Sequence, residues 1–430
     1  MGAALDTAMR AKQDGHQVKL FIRQTEKTKH IGRGLVDVVD DFHPWMNWPD
    51  LIIHSDNTRY LREFDTLRAL GVPIIGASVE TAAWELDRDE GQRVLKKHGV
   101  DVPPVREFND YDQAIAYVKK EMRRFVSKPS GDADKALSYV AKTPEDMVYM
   151  LERWKKLSKL KGAFILQEFV DGTEMAVGGW IGPHGFNVGW CENFEFKKLM
   201  DGDKGVATGE QGTVVRYVRR SKLANMVLKP LEDALIKTGY VGYVDVNTII
   251  DDAGKPWPLE FTMRPGWPTF NIQQALHSGD SIEWLYQLSQ GQDALAFNLD
   301  TIAIGVVLSV PDYPYSHLTR KEVIGTPIYG LTPGLLKNTH FCEMMQGEAP
   351  VERGGRIVNE KLPVTAGDYV LVMSATGETV YEAKQRAYRR LKRLTVPNSP
   401  MWRTDIGDRL AKQLPLIQVH GFATGMSFST

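Results

Sequence analysis

Cysteine is nearly absent from this chain of 430 residues, in which Cys191 and Cys342 are the only two. That is too few for a disulfide framework or a cysteine-rich metal site. No apolar run approaches the roughly 20 residues of a membrane-spanning helix, and no signal peptide opens the sequence. An excess of one charge is missing as well: Lys+Arg total 53 against Asp+Glu 54, a formal charge of −1. No general electrostatic drive toward nucleic acid or an anionic membrane follows from such a balance, although a local basic patch stays open. With 43% hydrophobic and 25% charged residues, the composition argues against long disorder. The expectation is a globular, cytoplasmic protein of two to four domains or lobes, acting on small molecules, with no membrane partner and no general nucleic-acid binding.

What is present centres on Gly239 to Gly266, GYVGYVDVNTIIDDAGKPWPLEFTMRPG. Tyr243 to Ile250 is a β-branched and aromatic run, Asp251-Asp252-Ala253-Gly254 supplies turn chemistry, and Trp257 to Phe261 runs back. Alternation puts Asp245 and Asn247 on one face, with Val244, Val246 and Thr248 on the other. Glu260 lies within cross-strand reach of the first face. Two carboxylates and an amide on a buried face call for a cation, and oxygen ligands of this kind suit Mg²⁺. The same pattern also suits a solvated hairpin with ordinary surface acids.

Residues 1–76 alternate helix and strand: a helix over Ala3 to Gln13, a strand over His16 to Ile22, a second over Asp50 to His54, a helix over Tyr60 to Leu70 and a strand over Val72 to Ile75. That rhythm predicts a parallel sheet. It opens on a helix where a strand and a Gly-rich turn would normally stand, so a first strand is expected to be missing, through a late start codon or a boundary of the piece. Met1-Gly2 is no nucleotide-binding fingerprint. Ser78 to His98 predicts one helical segment, Tyr111 to Arg124 another, and Phe125 to Pro129 a strand that carries Lys128 into the loop SGDADKA. With a single glycine, that loop is weak as a phosphate cradle and is matched by a plain hairpin. Ala163 to Val170 predicts an apolar strand, Asp171-Gly172 a turn, and Thr173 to Val177 the next strand.

The spacing of Lys128, Gln167, Glu174, Asp245 and Glu260 resembles the ATP-grasp superfamily. From Ile75 onward the chain is similar to the glycinamide ribonucleotide synthetases. The resemblance rests on VPIIGASVETAAWELDRD, FVSKPSGDADKALSYVAKTPEDM, FILQEFVDGTEMAV, GDKGVATGEQG, PLEFTMRPG, IGVVLSVPDYP and GETVYEAKQRAYRRLKRL…DIG, in order. It implies an α/β fold with α+β lobes: an N-terminal parallel-sheet domain over 1–76, an ATP-grasp domain over 77–300 with a small nucleotide-covering lobe about 125–177, and a C-terminal α/β lobe over 301–430. It implies an ADP-forming ligase that joins a carboxylate to an amine through an acylphosphate, using ATP and Mg²⁺ or Mn²⁺, as a monomer or homodimer.

By the same resemblance, Glu168 and Val170, beside Gln167, supply backbone contacts to adenine, and Glu174 holds ribose. Arg88 and Lys128 meet phosphates, while Asp245, Glu260 and Asn247 hold the metal. Arg264 steadies the acylphosphate or oxyanion, unless it serves a structural salt bridge. Arg386, Arg389, Arg390 and Arg393, at helical spacing, read as a solvated or inter-lobe face.

The departures from the family lie mostly on the acceptor side. Arg88 stands for a lysine, Thr262 follows Glu260 where an asparagine is usual, and the phosphate loop is short of glycine. The family's G-P-N-T-G-G-M-G becomes Gly205 to Gly212, putting Gly209, Glu210 and Gln211 in the substrate loop. Its R-F-G-D-P-E becomes Arg264 to Thr269, with Trp267 in place of a carboxylate. The implied substrates are a small amino acid such as glycine and an amine-bearing, nucleotide-like acceptor, Trp267 offering a platform for a flat group. The alternatives are the synthetase reaction of purine biosynthesis itself, a nucleotide-binding homologue without ligation, and a Trp267 that only packs between lobes.

Overall fold

The structure is a computed structural model that describes residues 2–129, 138–157, 163–299, 301–315, 321–397 and 399–430. The loop expected to cradle phosphates, beyond Lys128, lies outside the described residues.

The N-terminal segment holds α1 (Leu5–Gln13), β1 (Leu20–Phe21), β2 (Val38–Val39), β3 (Ile52–Ile53), α2 (Leu61–Ala69) and β4 (Ile74–Ile75). All pairing here is parallel, as the helix–strand rhythm predicts, but it is divided. β1 pairs with β2 and β3 with β4, giving two separate two-stranded ribbons. The strand expected over His16 to Ile22 shrinks to two residues, and β2 was not foreseen. The helix expected over Ser78 to His98 is two: α3 (Val79–Leu86) and α4 (Arg88–Lys97). Asp87 takes an extended conformation between them, and its carboxylate accepts from the N–H groups of Asp89 and Glu90, capping α4.

The small lobe is a four-stranded sheet in the order β5 (Val105–Phe108), β8 (Phe164–Glu168), β6 (Phe125–Pro129), β7 (Tyr139–Val140). Against it pack α5 (Tyr111–Glu121) and α6 (Pro144–Lys156), through a cluster containing Phe108, Phe125, Leu151, Trp154 and Phe164. Because β5 pairs with β8, this lobe reaches back to Val105, earlier than residue 125.

The body is an eight-stranded antiparallel sheet. Its strands are β9 (Thr173–Gly182), β10 (Gly185–Met200), β11 (Lys204–Val218), β12 (Gly242–Ile250), β13 (Pro256–Thr262), β14 (Ile302–Ser309), β15 (Thr339–Phe341) and β18 (Tyr369–Gly377). They lie in the order β13-β12-β9-β10-β11-β14-β18-β15. Between β11 and β12 run α7 (Lys222–Val227) and α8 (Glu232–Lys237), and between β13 and β14 run α9 (Thr269–Gln273) and α10 (Ser281–Ser289). After β14 come α11 (Pro333–Leu336) and a hairpin of β16 (Met344–Arg353) and β17 (Arg356–Thr365); α12 (Val380–Leu391) and α13 (Leu410–Gln418) close the chain. Since β14 sits between β11 and β18, the sheet runs across residue 301 and the C-terminal part packs back through shared strands. On α12, Arg390 donates to the Ser374 carbonyl and Arg386 to that of Thr376, so these arginines serve the contact between α12 and β18.

Both faces of the sheet are apolar over most of their area. Val244, Val246 and Phe261 join one cluster, while Trp180, Tyr217, Tyr243, Phe270 and Trp284 join the other. The second face turns polar toward one end of β9, β10 and β12, and the candidate site lies there.

Candidate active site

The hairpin forms as its sequence predicts, with β12 and β13 antiparallel around the Asp251 to Gly254 turn. Asn247 stands directly opposite Glu260 on one side and Ala176 on the other, and Ile249 opposite Glu174. Period-two alternation therefore brings Glu174 (β9), Glu195 and Lys197 (β10), Asp245 and Asn247 (β12) and Glu260 (β13) to one face.

Lys197 is the hub of this group. Its Nζ lies 2.9 Å from Glu174, 3.0 Å from Glu195 and 3.4 Å from Glu260. The Asn247 amide donates to Glu174 and Glu195, both at 2.9 Å. Arg88, at the start of α4, pairs with the other oxygen of Glu260 at 2.7 Å. Lys128 reaches the same field from the small lobe, buried and close enough to feel Arg88, Glu260, Lys197 and Glu174.

Burial alone would raise the Glu174 and Glu260 carboxyls, but Lys197 holds both below the usual range, with Arg88 adding to the effect at Glu260. Burial also works against Lys197, whose pKa is nevertheless raised by its three carboxylates. At Lys128 the opposing pull of Glu260 and Glu174 is too weak to compensate. Desolvation, reinforced by Arg88 and Lys197, brings its pKa down to about 7.

The residues expected to bind metal divide. Glu260 and Asn247 are cross-strand partners inside the cluster. Asp245 sits one alternation further along, buried, with its carboxylate accepting from the Asn193 amide at 2.8 Å and the Tyr243 hydroxyl at 3.0 Å. Burial and Glu195 push its pKa up to about 7, against those two hydrogen bonds. Among the described residues no three acidic, histidine or cysteine side chains close on one point as a metal cage. The donor chemistry still suits Mg²⁺, because Glu174, Glu195 and Glu260 are hard oxygen donors and the buried Asn247 Oδ1 has no partner among the described residues. An open set of this kind is how Mg²⁺ is usually held beside phosphates, with one or two carboxylates rather than a closed protein cage.

At the hinge, the Glu168 N–H donates to the Pro104 carbonyl at 2.9 Å and its side chain pairs with Arg123. Only its carbonyl remains for a base, so the adenine contact expected of Glu168 is narrower than anticipated. Val170, just beyond, makes no backbone hydrogen bond among the described residues. Gln167 is buried with its Oε1 unpartnered among them. Arg264 pairs with Glu85 at 3.0 Å, and a second oxygen of Glu85 accepts from the Met263 N–H at 2.7 Å. The salt-bridge role foreseen as its alternative is thus realised, and it aims the guanidinium.

On the acceptor side, Gly209 is exposed and Gln211 buried, its amide near the hydroxyls of Thr208 and Tyr313. Trp267 is half-buried, its ring 5.7 Å from that of Tyr369, which lies 5.3 Å from Tyr313. Trp267 also lines a cavity of about 750 Å³ that extends under the N-terminal segment.

Glu195 and Lys197 were not among the expected site residues, and Glu210 was expected only as part of the substrate loop. Glu195 and Lys197 share the period-two alternation of Phe194 to Leu199, a signal legible in the sequence. Glu210 is buried with one oxygen unpartnered among the described residues, and burial and Glu195 raise its pKa well above the usual carboxyl range. Its inward direction follows from a bulge in β11 opposite Phe196 and Lys198, which no sequence pattern announces.

Residues 90–269 match the family described as phosphoribosylglycinamide synthetase, ATP-grasp (A) domain. Those residues carry an ATP-grasp domain. The chain is a divergent relative of the phosphoribosylamine–glycine ligases and is built as an ATP-grasp ligase. The Vibrio cholerae phosphoribosylamine–glycine ligase is 28% identical over 365 residues, covering 80% of this chain and 79% of that protein. A bifunctional purine biosynthetic protein of Pichia angusta is 26% identical over 358 residues, and there the match spans 80% of this chain but only 43% of the relative. The solved phosphoribosylamine–glycine ligase of Thermotoga maritima superposes with a TM-score of 0.69 at 20% identity, covering 94% of this chain and 97% of that one. A biotin carboxylase domain of Hydrogenobacter thermophilus, solved with MgADP and bicarbonate, reaches a TM-score of 0.61 at 12% identity, covering 99% and 94%. At these identities the two structures establish the ATP-grasp fold. ATP-grasp domains bind ATP and Mg²⁺ as a class. No helix among the described residues is long and apolar enough to cross a membrane.

Proposed function

We propose that this ATP-grasp ligase activates the carboxylate of a small amino acid, glycine first, and joins it to an amine-bearing, nucleotide-like acceptor. The observation that carries this reading is the convergence of Lys197, Arg88 and Lys128 on Glu174, Glu195 and Glu260 at one sheet face. Oppositely charged groups held ready at a lobe junction are what phosphoryl transfer uses, since its catalysis is mostly positioning and charge stabilisation.

In this reading the base lies along Gln167 to Val170, with Val170 supplying backbone groups, and Glu174 accepts from the ribose hydroxyls. Lys128 and Arg88 meet the phosphates from opposite lobes. Glu260 and Asn247, with Asp245 behind them, would hold Mg²⁺ or Mn²⁺, which when bound offsets phosphate charge during transfer. The amino-acid carboxylate attacks the γ-phosphoryl group, ADP leaves, and the acceptor amine displaces phosphate from the acylphosphate to form the amide. Arg264, aimed by Glu85, steadies the oxyanion of that second step. Gly209, Gln211 and Trp267 line the acceptor side, where a flat group stacks on the indole.

The test measures ADP release and product mass for glycine with phosphoribosylamine and, separately, with amine-bearing nucleosides and nucleotides. The expected result is faster turnover of a larger acceptor, reduced by Trp267→Ala. Efficient use of phosphoribosylamine, insensitive to Trp267→Ala, would overturn the acceptor reading in favour of the ordinary synthetase reaction. ATP binding without Mg-dependent ADP release would make the chain a nucleotide-binding homologue.

A further inference from the structure

We infer that Arg409, just ahead of α13, is a positioning residue for Lys197: it fixes the stretch of β10 that carries Glu195 and Lys197 at the phosphoryl-transfer site. The inference rests on the ligase reading for what that site does.

The first observation is how little of this stretch the sheet itself holds. Beyond Asn193, which stands opposite Ala176, the pairing of β10 with β9 does not continue among the described residues. The pairing with β11 shifts register between Phe196 and Lys198, so Lys197 has no opposite residue on that strand either. A segment that leaves the ladder needs its buried carbonyls held by other groups.

Side chains hold them. The Glu195 carbonyl accepts from Nη2 of Arg409, the Lys197 carbonyl from the Thr208 hydroxyl at 2.8 Å, and the Lys198 carbonyl from Nη1 of Arg403 at 2.9 Å. The backbone beneath the hub is therefore set by two arginines from the C-terminal part and one residue of the acceptor loop.

The second observation is the clamp around Phe196. Alternation sends Glu195 and Lys197 to the site and Phe196 to the opposite face. There its buried ring meets both guanidinium groups, that of Arg409 at 4.1 Å from the ring centroid and that of Arg403 at 5.3 Å. The carboxylate of Asp203, at the turn between β10 and β11, ties the two arginines together. One oxygen accepts from Arg403 at 2.9 Å and the other from Arg409 at 3.2 Å. Arg403 also forks onto Asp405, with both contacts at 2.8 Å, and Asp405 in turn accepts from the Gly202 N–H at 2.8 Å.

The two arginines divide the work. Arg403, with a side chain only 1% exposed, anchors the turn of the hairpin. Arg409 reaches past the turn to Glu195 itself, and it lies near enough to Glu174 for its charge to be felt there. Misplacing reacting groups by about 1 Å costs on the order of 10²-fold in rate, so a residue that sets the backbone on which Lys197 stands acts on the chemistry without touching substrate.

The test is a double-mutant cycle in the full chain: Arg409→Gln, Lys197→Ala and the two together. ADP release is measured per folded molecule, the folded fraction coming from denaturant unfolding, and ATP affinity is measured by calorimetry on the same proteins. Arg409→Gln should lower ADP release at least tenfold. The same change made in Lys197→Ala should lower it less than twofold further, because a residue that acts through Lys197 then has nothing left to position. Arg409→Lys, which keeps a charged donor near the Glu195 carbonyl and Asp203, should recover at least part of the loss, and it carries the cycle if Arg409→Gln does not fold. Lys384→Ala, which removes the neighbouring pair with Asp408, should leave ADP release within twofold. Losses that multiply independently through the cycle would overturn the proposal and make Arg409 a structural residue, as would wild-type turnover in Arg409→Gln. A wild-type chain that binds ATP but releases no ADP would sink the ligase reading alone, and the cycle read in ATP affinity would then decide for or against Arg409 by the same non-additivity.

Discussion

Strand β12 and strand β3 are both written in β-branched residues, yet they end in different circumstances. β12 runs nine residues with β13 on one edge and β9 on the other. β3 runs two residues with β4 alone. On the first, backbone groups are directed alternately to the two neighbouring strands, so Asn247 and its neighbours stand at fixed positions and carry a charge constellation. On the second, one edge has no strand partner among the described residues. Catalytic precision depends on the pairing of the backbone beneath it.

The sharpest way to break this contrast is to remove the hub of the rigid region. Lys197→Ala leaves Glu174, Glu195 and Glu260 facing one another, and ADP release should fall about 10²–10³-fold. Its side chain is partly exposed, so the stability loss should stay near 2 kcal/mol, below the scale for a fully buried pair. Denaturant unfolding and a coupled ADP assay read both, and wild-type turnover would remove the cluster from the chemistry.

Asp245→Asn tests how far the site extends along β12. The amide still accepts from Asn193 and Tyr243, so the fold should hold while most Mg-dependent turnover is lost; normal turnover would confine the metal to Glu260 and Asn247. Glu174→Ala should weaken ATP binding by about 1–3 kcal/mol, the scale of a charge-assisted hydrogen-bonding partner. Calorimetric titration with unchanged affinity would take Glu174 out of the ribose site.

Lys128 turns the contrast into a pH dependence. Its pKa falls from the ordinary 10.5 to about 7 in the fold. Between those values the unfolded chain holds a proton that the folded chain has shed, so Lys128 makes stability rise with pH over that window. The penalty is greatest below about 7 and is gone above 10.5. Lys128→Met should flatten that rise in denaturation midpoints measured from pH 6 to 9, and an unchanged slope would assign it to other groups. The smallest effect is expected in the open region: Ile53→Ala should cost about 1 kcal/mol and leave ADP release alone. A larger loss of activity would show that the ribbons do support the site.

Much of the site was legible because period-two alternation survives folding. Asp245, Asn247 and Glu260 could be assigned to one face from the hairpin pattern, and Glu174 from its distance past the apolar strand. The roles inside the group were less legible. The partners of Asp245 are Asn193, on β10, and Tyr243, on its own strand, while the partner of Arg264 is Glu85 on α3. The pairings with Asn193 and Glu85 have no sequence signal, since each joins residues far apart in the chain, whereas Tyr243 lies two residues from Asp245 on the same strand face.

The residues alone settle the hairpin, two of the small lobe's four strands (β6 and β8), the parallel rhythm of the first 76 positions and the likeness to the ATP-grasp ligases, because all of these rest on local periodicity and short ordered motifs. Only the tertiary structure shows Lys197 at the centre of three carboxylates, Glu210 turned inward by a bulge and a gap between two ribbons. Those depend on which strands become neighbours, and neighbours in an antiparallel sheet are chosen by the burial of whole faces, a quantity that no single stretch of the chain contains.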